Sequence, residues 1–156
     1  FIKRFTVQMM VDSAGVVRYG REYFELPPAM RSIVRGIPHR PVFAGTALGM
    51  DRGEFRPSVQ LLDRLVRTEA KHIVLTDEAA WLFVCGRPAL LRSVEHHQGA
   101  PKRGDFVLVL DRQREVLGYG VLANDWNDKH GIVKPLFDLG DFLRRERGQK
   151  RPRERS

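Results

Sequence analysis

Few side chains in this chain are spaced for chemistry of their own. Glu95, His96 and His97 offer three metal-ligating groups in a row. On a strand, however, neighbouring side chains point to opposite faces, so the two imidazoles cannot chelate one ion. No third ligand follows at a recognisable spacing, so no metal is expected. The stretch AGTALGMDRG, Ala44 to Gly53, is rich in glycine. It lacks the Gly-Lys-Ser/Thr ending and the strand-to-helix setting of a phosphate-cradling loop, and reads as a hairpin. Cys85 follows Leu82, Phe83 and Val84 with no activating base beside it, which predicts a buried, inert thiol. Asp77 and Glu78 stand at a helix start, where capping and the helix dipole explain them. No acid–base or nucleophilic set assembles and no cofactor is implied, so the chain reads as a binder and not an enzyme.

The basic residues are the stronger signal. Arg144, Arg145, Arg147, Lys150, Arg151, Arg153 and Arg155 face only Glu146 and Glu154 at the end of the chain. Such a cluster attracts polyanions, of which nucleic acid is the commonest, and the arginine fork suits phosphate and base stacking. A disordered solubilising tail is the alternative reading of the same charges. Arg87 follows a helix stop at Gly86, Lys102 and Arg103 lie in the loop before a strand, and Lys129 and Lys134 flank another loop. Loop tips on a rigid scaffold are where ligand contacts collect. Trp126, inside the polar loop NDWNDKHG, is open to two readings: a platform for a base, or a ring folded back onto the scaffold.

The elements that must position these groups follow from length and pattern. The 156 residues carry 27 Lys and Arg against 19 Asp and Glu, a net charge of +8, with 42% hydrophobic residues. That is enough chain for one large domain or two small ones. A single cysteine excludes an intrachain disulfide and fits a reducing, cytoplasmic setting. No apolar run is long enough to span a membrane. The first residues, FIKRFTVQMMV, lack the apolar core of a signal peptide, and the start on Phe1 is read as the loss of a few preceding residues.

VVRYGREYFEL reads as two short strands around Gly20, and PPAMRSIVRGI as a short helix opened by proline and closed by Gly36. A hairpin turning at residues 51–53 follows, and Ser58 caps a helix with Val59, Leu62, Leu65 and Val66 on its apolar face. A second unit begins with a strand over 72–75 and a helix capped by Thr76 or Asp77. ALLRSVEHH reads as one strand, RGDFVLVLDRQREVLGYGVL as a hairpin, IVKPLFD as a strand and LGDFLRRERGQK as a last helix. Short strands with turn signals every 8–12 residues or so suggest a small barrel. Gly118 and Gly120 flank Tyr119 on one face of their strand, where missing side chains let a barrel bend or another backbone approach.

In this order and spacing, FVCGRPALLRS, RGDFVLVLD and EVLGYGVL resemble a PUA domain, a small RNA-binding pseudo-barrel. REYFEL and VFAGTALGMDRGEFRPSVQLLDRLV resemble the N-terminal domain of the Nip-seven family of 60S ribosomal subunit biogenesis factors, and the similarity runs over residues 1 to 147. The resemblance implies an α+β protein with three parts. Residues 1–69 would form an N-terminal α/β domain with antiparallel strands that contacts other assembly factors, 70–147 a PUA pseudo-β-barrel, and 148–156 a basic tail. It further implies a non-catalytic, monomeric factor of pre-rRNA processing that binds single-stranded precursor rRNA. RRERGQKR resembles the archaeal form, for which there is no nucleus to enter. The expected phosphate contacts are Arg144, Arg145, Arg147, Lys150 and Arg151, with Arg87, Lys102 and Arg103 as second choices. The alternative is an accessory RNA-binding subunit of a tRNA- or rRNA-modification enzyme.

Overall fold

The structure, a computed structural model, describes every residue except 7, 9, 40–43, 129, 142–143 and 145–156. Its contacts divide the chain into two units, Phe1–Thr68 and Glu69–Ser156.

The first unit is a four-stranded antiparallel meander in the order β1 (Val16–Tyr19), β2 (Glu22–Glu25), β3 (Thr46–Asp51) and β4 (Phe55–Pro57). Gly20, at φ +62°, makes the tight turn between β1 and β2 that a side chain would strain. Helix α1 (Pro28–Gly36) links β2 to β3, and α2 (Val59–Val66) follows β4. Ser58 caps α2 as expected: its Oγ accepts from Leu61 N–H at 3.1 Å and donates to Ala47 O at 2.6 Å. That second bond ties the helix start to β3 and sets its rotation. Leu61, Leu62 and Leu65 are therefore the buried face, while Val59, expected among them, is 45% exposed. Arg64 joins α2 to the sheet by bonding Glu25 and the Met10 carbonyl.

The second unit is one curled sheet with a helix laid into it. The strands are β5 (His72–Leu75), β6 (Ala89–Leu90), β7 (Val94–Gln98), β8 (Phe106–Leu110), β9 (Val116–Leu122) and β10 (Ile132–Asp138), with α3 (Asp77–Val84) after β5. The order is β6-β10-β9-β8-β5-β7, with β5 and β8 parallel and the other pairs antiparallel. The expected single strand ALLRSVEHH is broken by a 3₁₀ turn at Leu91–Ser93. The break has a purpose: β6 pairs with β10 at one edge of the sheet, and β7 pairs with β5 at the other. Three residues thus stitch the two edges together and curl the sheet toward a barrel, which removes exposed strand edges.

The core of this unit is Phe83 of α3 against Ile73, Leu75, Val107, Val109, Leu122 and Val133. Leu108 and Leu110, on the opposite face of β8, are also fully buried. Burial on both faces accounts for the unbroken apolar run FVLVL. Gly118 and Gly120 sit where β9 and β10 come closest. A Cβ on Gly118 would fall inside the Phe137 carbonyl and 2.9 Å from Asp138 Cα; one on Gly120 would lie 2.7 Å from Val133 Cγ1. The register also shifts between Pro135 and Phe137, opposite this pair. The two glycines thus permit close approach of the neighbouring backbone at a bend, as their alternation suggested.

The β8–β9 turn carries one strained residue. Arg114 has φ +63°, a region that favours glycine, in a turn closed by Arg114 N–H to Asp111 O at 3.0 Å. Arg114→Gly is expected to raise stability by about 1 kcal/mol, read from urea denaturation, because the left-handed penalty disappears.

Candidate nucleic-acid interface

Helix α3 organises one part of the basic surface. Thr76 caps its start, accepting from Ala79 N–H at 3.3 Å, and Asp77 and Glu78 occupy the first turn. At its end Gly86 adopts φ +84°, with Gly86 N–H on Phe83 O at 2.8 Å and Arg87 N–H on Leu82 O at 3.0 Å. This is the paired closure in which a left-handed glycine satisfies the last carbonyls of a helix. It turns the chain sharply and leaves Arg87 exposed immediately past the helix end. The same turn exposes Cys85, so the expected buried thiol is corrected: the inward positions are Ala79, Ala80 and Phe83.

Arg144 docks at this helix end. Its Nη1 donates to Val84 O at 2.5 Å, and its Nη2 donates to both carboxylate oxygens of Asp138, at 2.9 and 2.7 Å. Asp138 closes β10 and is only 5% exposed. The carboxylate raises the Arg144 pKa above its ordinary value, a shift that burial alone would oppose. Arg144 therefore clamps the segment after β10 to the negative end of α3, satisfying a carbonyl that the helix leaves unpaired. The side chain nevertheless stays 42% exposed.

Lys102 and Arg103 stand on a second feature, the turn that enters β8. Asp105 builds it by accepting from Lys102 N–H at 2.7 Å and from the Lys71 ammonium. Gly104, at φ +88° with open space around it, completes the turn, and both basic side chains are exposed. Burial by itself would raise the Asp105 carboxyl, but the Lys71 and Lys102 bonds outweigh it and hold it below the usual carboxylate range.

The strand register relates these features. Ala89 pairs with Val133, Val133 with Leu122, and Leu122 N–H bonds Asp105 O at 3.0 Å. Arg87 and the Lys102–Arg103 turn thus flank one ladder, three strands or roughly 14 Å apart before the offset along the strands. Exposed Lys134 lies on β10, between them. Arg145, Arg147, Lys150 and Arg151, and most of the expected last helix, lie outside the described residues, as does Lys129.

Two aromatic and two imidazole positions resolve differently from one another. Trp126 is half-buried, packed against the barrel core with its ring 4.7 Å from that of His97, so the folded-back reading holds. Trp81 is 68% exposed on α3, one turn before Val84. The sequence gives no pointer to it, because DEAAWLFV is apolar almost throughout and shows no period from which an outward face could be read. His96 and His97 pair with Val74 and Ile73 on edge strand β7, and no metal-binding group of side chains occurs among the described residues.

Shifts at His72 and Asp105 contribute to the pH dependence of the unit, as does the Glu95 carboxyl, which its bonds to Arg112 hold low. Burial holds His72 below the ordinary imidazole value, with Nδ1 3.2 Å from Ala70 O. Its folded-state pKa, like that of Asp105, is lower than the unfolded one, so the unfolded chain binds more protons. Stability is complete above about pH 6.5 and falls as pH drops, first through His72 and then through the carboxylates. The urea midpoint is expected to rise between pH 5 and pH 7, and His72→Gln should flatten that part of the curve.

Comparison with known proteins places the chain among PUA-domain proteins. A model of the UPF0113 PUA domain matches residues 71–147. A UPF0113 protein of Aeropyrum pernix is 35% identical over 130 residues, covering 80% of this chain and 70% of the relative. A conserved PUA domain protein from Thermoplasma acidophilum has the same fold at 15% identity, with a TM-score of 0.59 over 93% of this chain and 88% of that one. A PUA domain structure from Aeropyrum pernix, solved as a tartrate complex, matches 58% of this chain at 24% identity and a TM-score of 0.49. The chain spans 55% of that structure's length.

Proposed function

The chain belongs to the UPF0113 protein family, and from that premise we propose that it is a non-catalytic RNA-binding factor of large-ribosomal-subunit assembly and pre-rRNA processing, an archaeal-type relative of the Nip-seven proteins. The observation that carries this reading is the set of exposed cations, Arg87, Lys102, Arg103 and Lys134, held on rigid turns and a strand of the PUA unit in a chain of net charge +8. Cations carried on an ordered backbone suit a phosphate backbone, since only their side chains need ordering on binding. Trp81 adds an exposed ring beside the α3 end, suited to stacking on an unpaired base. Single-stranded segments are the favoured target because A-form helices hide their base edges. The factor would act in the cytoplasm as a monomer, with assembly proteins contacting its first unit.

The test is ultraviolet crosslinking in cells followed by sequencing of the bound RNA. Enrichment of precursor or mature large-subunit rRNA is the expected outcome. Enrichment of tRNA, with altered modification when the gene is deleted, would instead identify an accessory subunit of a modification enzyme.

A further inference from the structure

Strand β10 carries one residue that its ladder does not use. Pro135 pairs with Gly120 and Phe137 with Tyr119, so the register passes over Leu136 in a β-bulge. Bulges re-aim a side chain and interrupt regular pairing. Leu136 is 53% exposed, and Lys134, two residues before it, is exposed as well. On the side away from β9, β6 pairs with β10 only at Ile132 and Val133. Among the described residues no strand covers the rest of that edge.

The chain that leaves α3 flanks this edge. A Cβ on Gly140 would fall on the Val84 carbonyl, and Ala89 pairs with Val133. Residues 84–89 therefore run antiparallel alongside 133–140, which brings the exposed Arg87 to the stretch that holds Lys134 and Leu136. Neither cation forms an ion pair among the described residues. No Asp or Glu occurs in 86–94 or in 131–137, and Asp138 is buried and taken by Arg144.

We propose that Leu136 is a base-contacting residue of the RNA site, with an unpaired base lying on its side chain while adjoining phosphates meet Lys134 and Arg87. Lys134 and Leu136 are about 7 Å apart along the strand, within the span of one nucleotide from base to phosphate. Aliphatic side chains, leucine among them, serve against base faces in other complexes. An extended peptide fits this edge poorly. Pro135 has no N–H to give, and the bulge breaks the row of donors and acceptors that an added strand needs.

The inference rests on the RNA-binding reading, and the experiment separates the two. Binding of the full chain to a labelled single-stranded RNA of about ten nucleotides is measured by fluorescence anisotropy over a range of salt. The measurement is repeated with the same ribose–phosphate chain lacking its bases. Leu136→Ser is expected to weaken binding to the RNA about fivefold, the low end for loss of a base platform, with the log–log salt slope unchanged. On the base-free chain it should change almost nothing. Lys134→Ala should weaken binding to both ligands and make both slopes shallower by about 0.7. Leu136 is exposed, so the melting temperature should stay the same. If the unaltered chain binds RNA but Leu136→Ser has no effect, costs both ligands equally or changes the slope, the assignment of Leu136 is overturned and the RNA reading stands. If the unaltered chain does not bind single-stranded RNA, the RNA reading fails and this inference with it.

Discussion

Gly118→Ala is expected to destabilise the protein by about 2–5 kcal/mol, measured by urea or thermal denaturation. Two costs combine. The backbone holds φ +153° there, a conformation that side chains rarely adopt. The added methyl also falls on the Phe137 carbonyl and the Asp138 backbone, in a sheet whose strands cannot separate without breaking the β9–β10 ladder. Gly104→Ala is the internal control. It shares a positive φ, +88°, but meets nothing within 4 Å, so it should lose only the conformational part, about 1–2 kcal/mol. Equal losses at the two positions would show that close strand approach is not what selects glycine in LGYGVL.

The combined substitution of Arg87, Lys102, Arg103 and Lys134 by alanine is expected to weaken binding to single-stranded RNA on the order of 10²-fold near 0.1 M salt. The log–log salt slope should become shallower by about 3, at roughly 0.7 per lost phosphate contact. The four side chains are exposed, so melting should barely change. Arg144→Ala should behave in the opposite way. It strips the buried Asp138 carboxylate of its guanidinium and frees the Val84 carbonyl, at a cost of about 1–3 kcal/mol in stability. Comparing the two variants separates a cation that contacts RNA from one that holds the scaffold. An unchanged salt slope in the fourfold variant would place the RNA elsewhere.

Much of the frame was legible because it rests on local rules. Ser58 and Thr76 announce helix starts through their hydroxyls, and Gly86 announces a helix end through the backbone angle that it alone adopts cheaply. The run FVLVL marked a strand covered on both faces. Misreadings occurred where one residue answers to two distant partners. Val94 and Ala89 look like one strand, yet each pairs at a different edge of the sheet. Val59 has the right spacing for the apolar face of α2, but the Ser58 bond to Ala47 turns it outward. In α3 the near-uniform apolar sequence hid the fact that Trp81 and Cys85 face solvent.

Charge and residue type were thus determined by the sequence alone. The chain must be basic, its helices must begin and end near the residues that cap them, and Gly118 and Gly120 must lie where something comes close. Which cations remain available to a ligand was decided only by the tertiary structure. Arg144 reads in sequence as one of a run of identical arginines. In the fold it faces a buried carboxylate six residues back and a helix carbonyl sixty residues away. Sequence records a charge, but its availability depends on the opposite charges and open carbonyls that folding brings within hydrogen-bond reach.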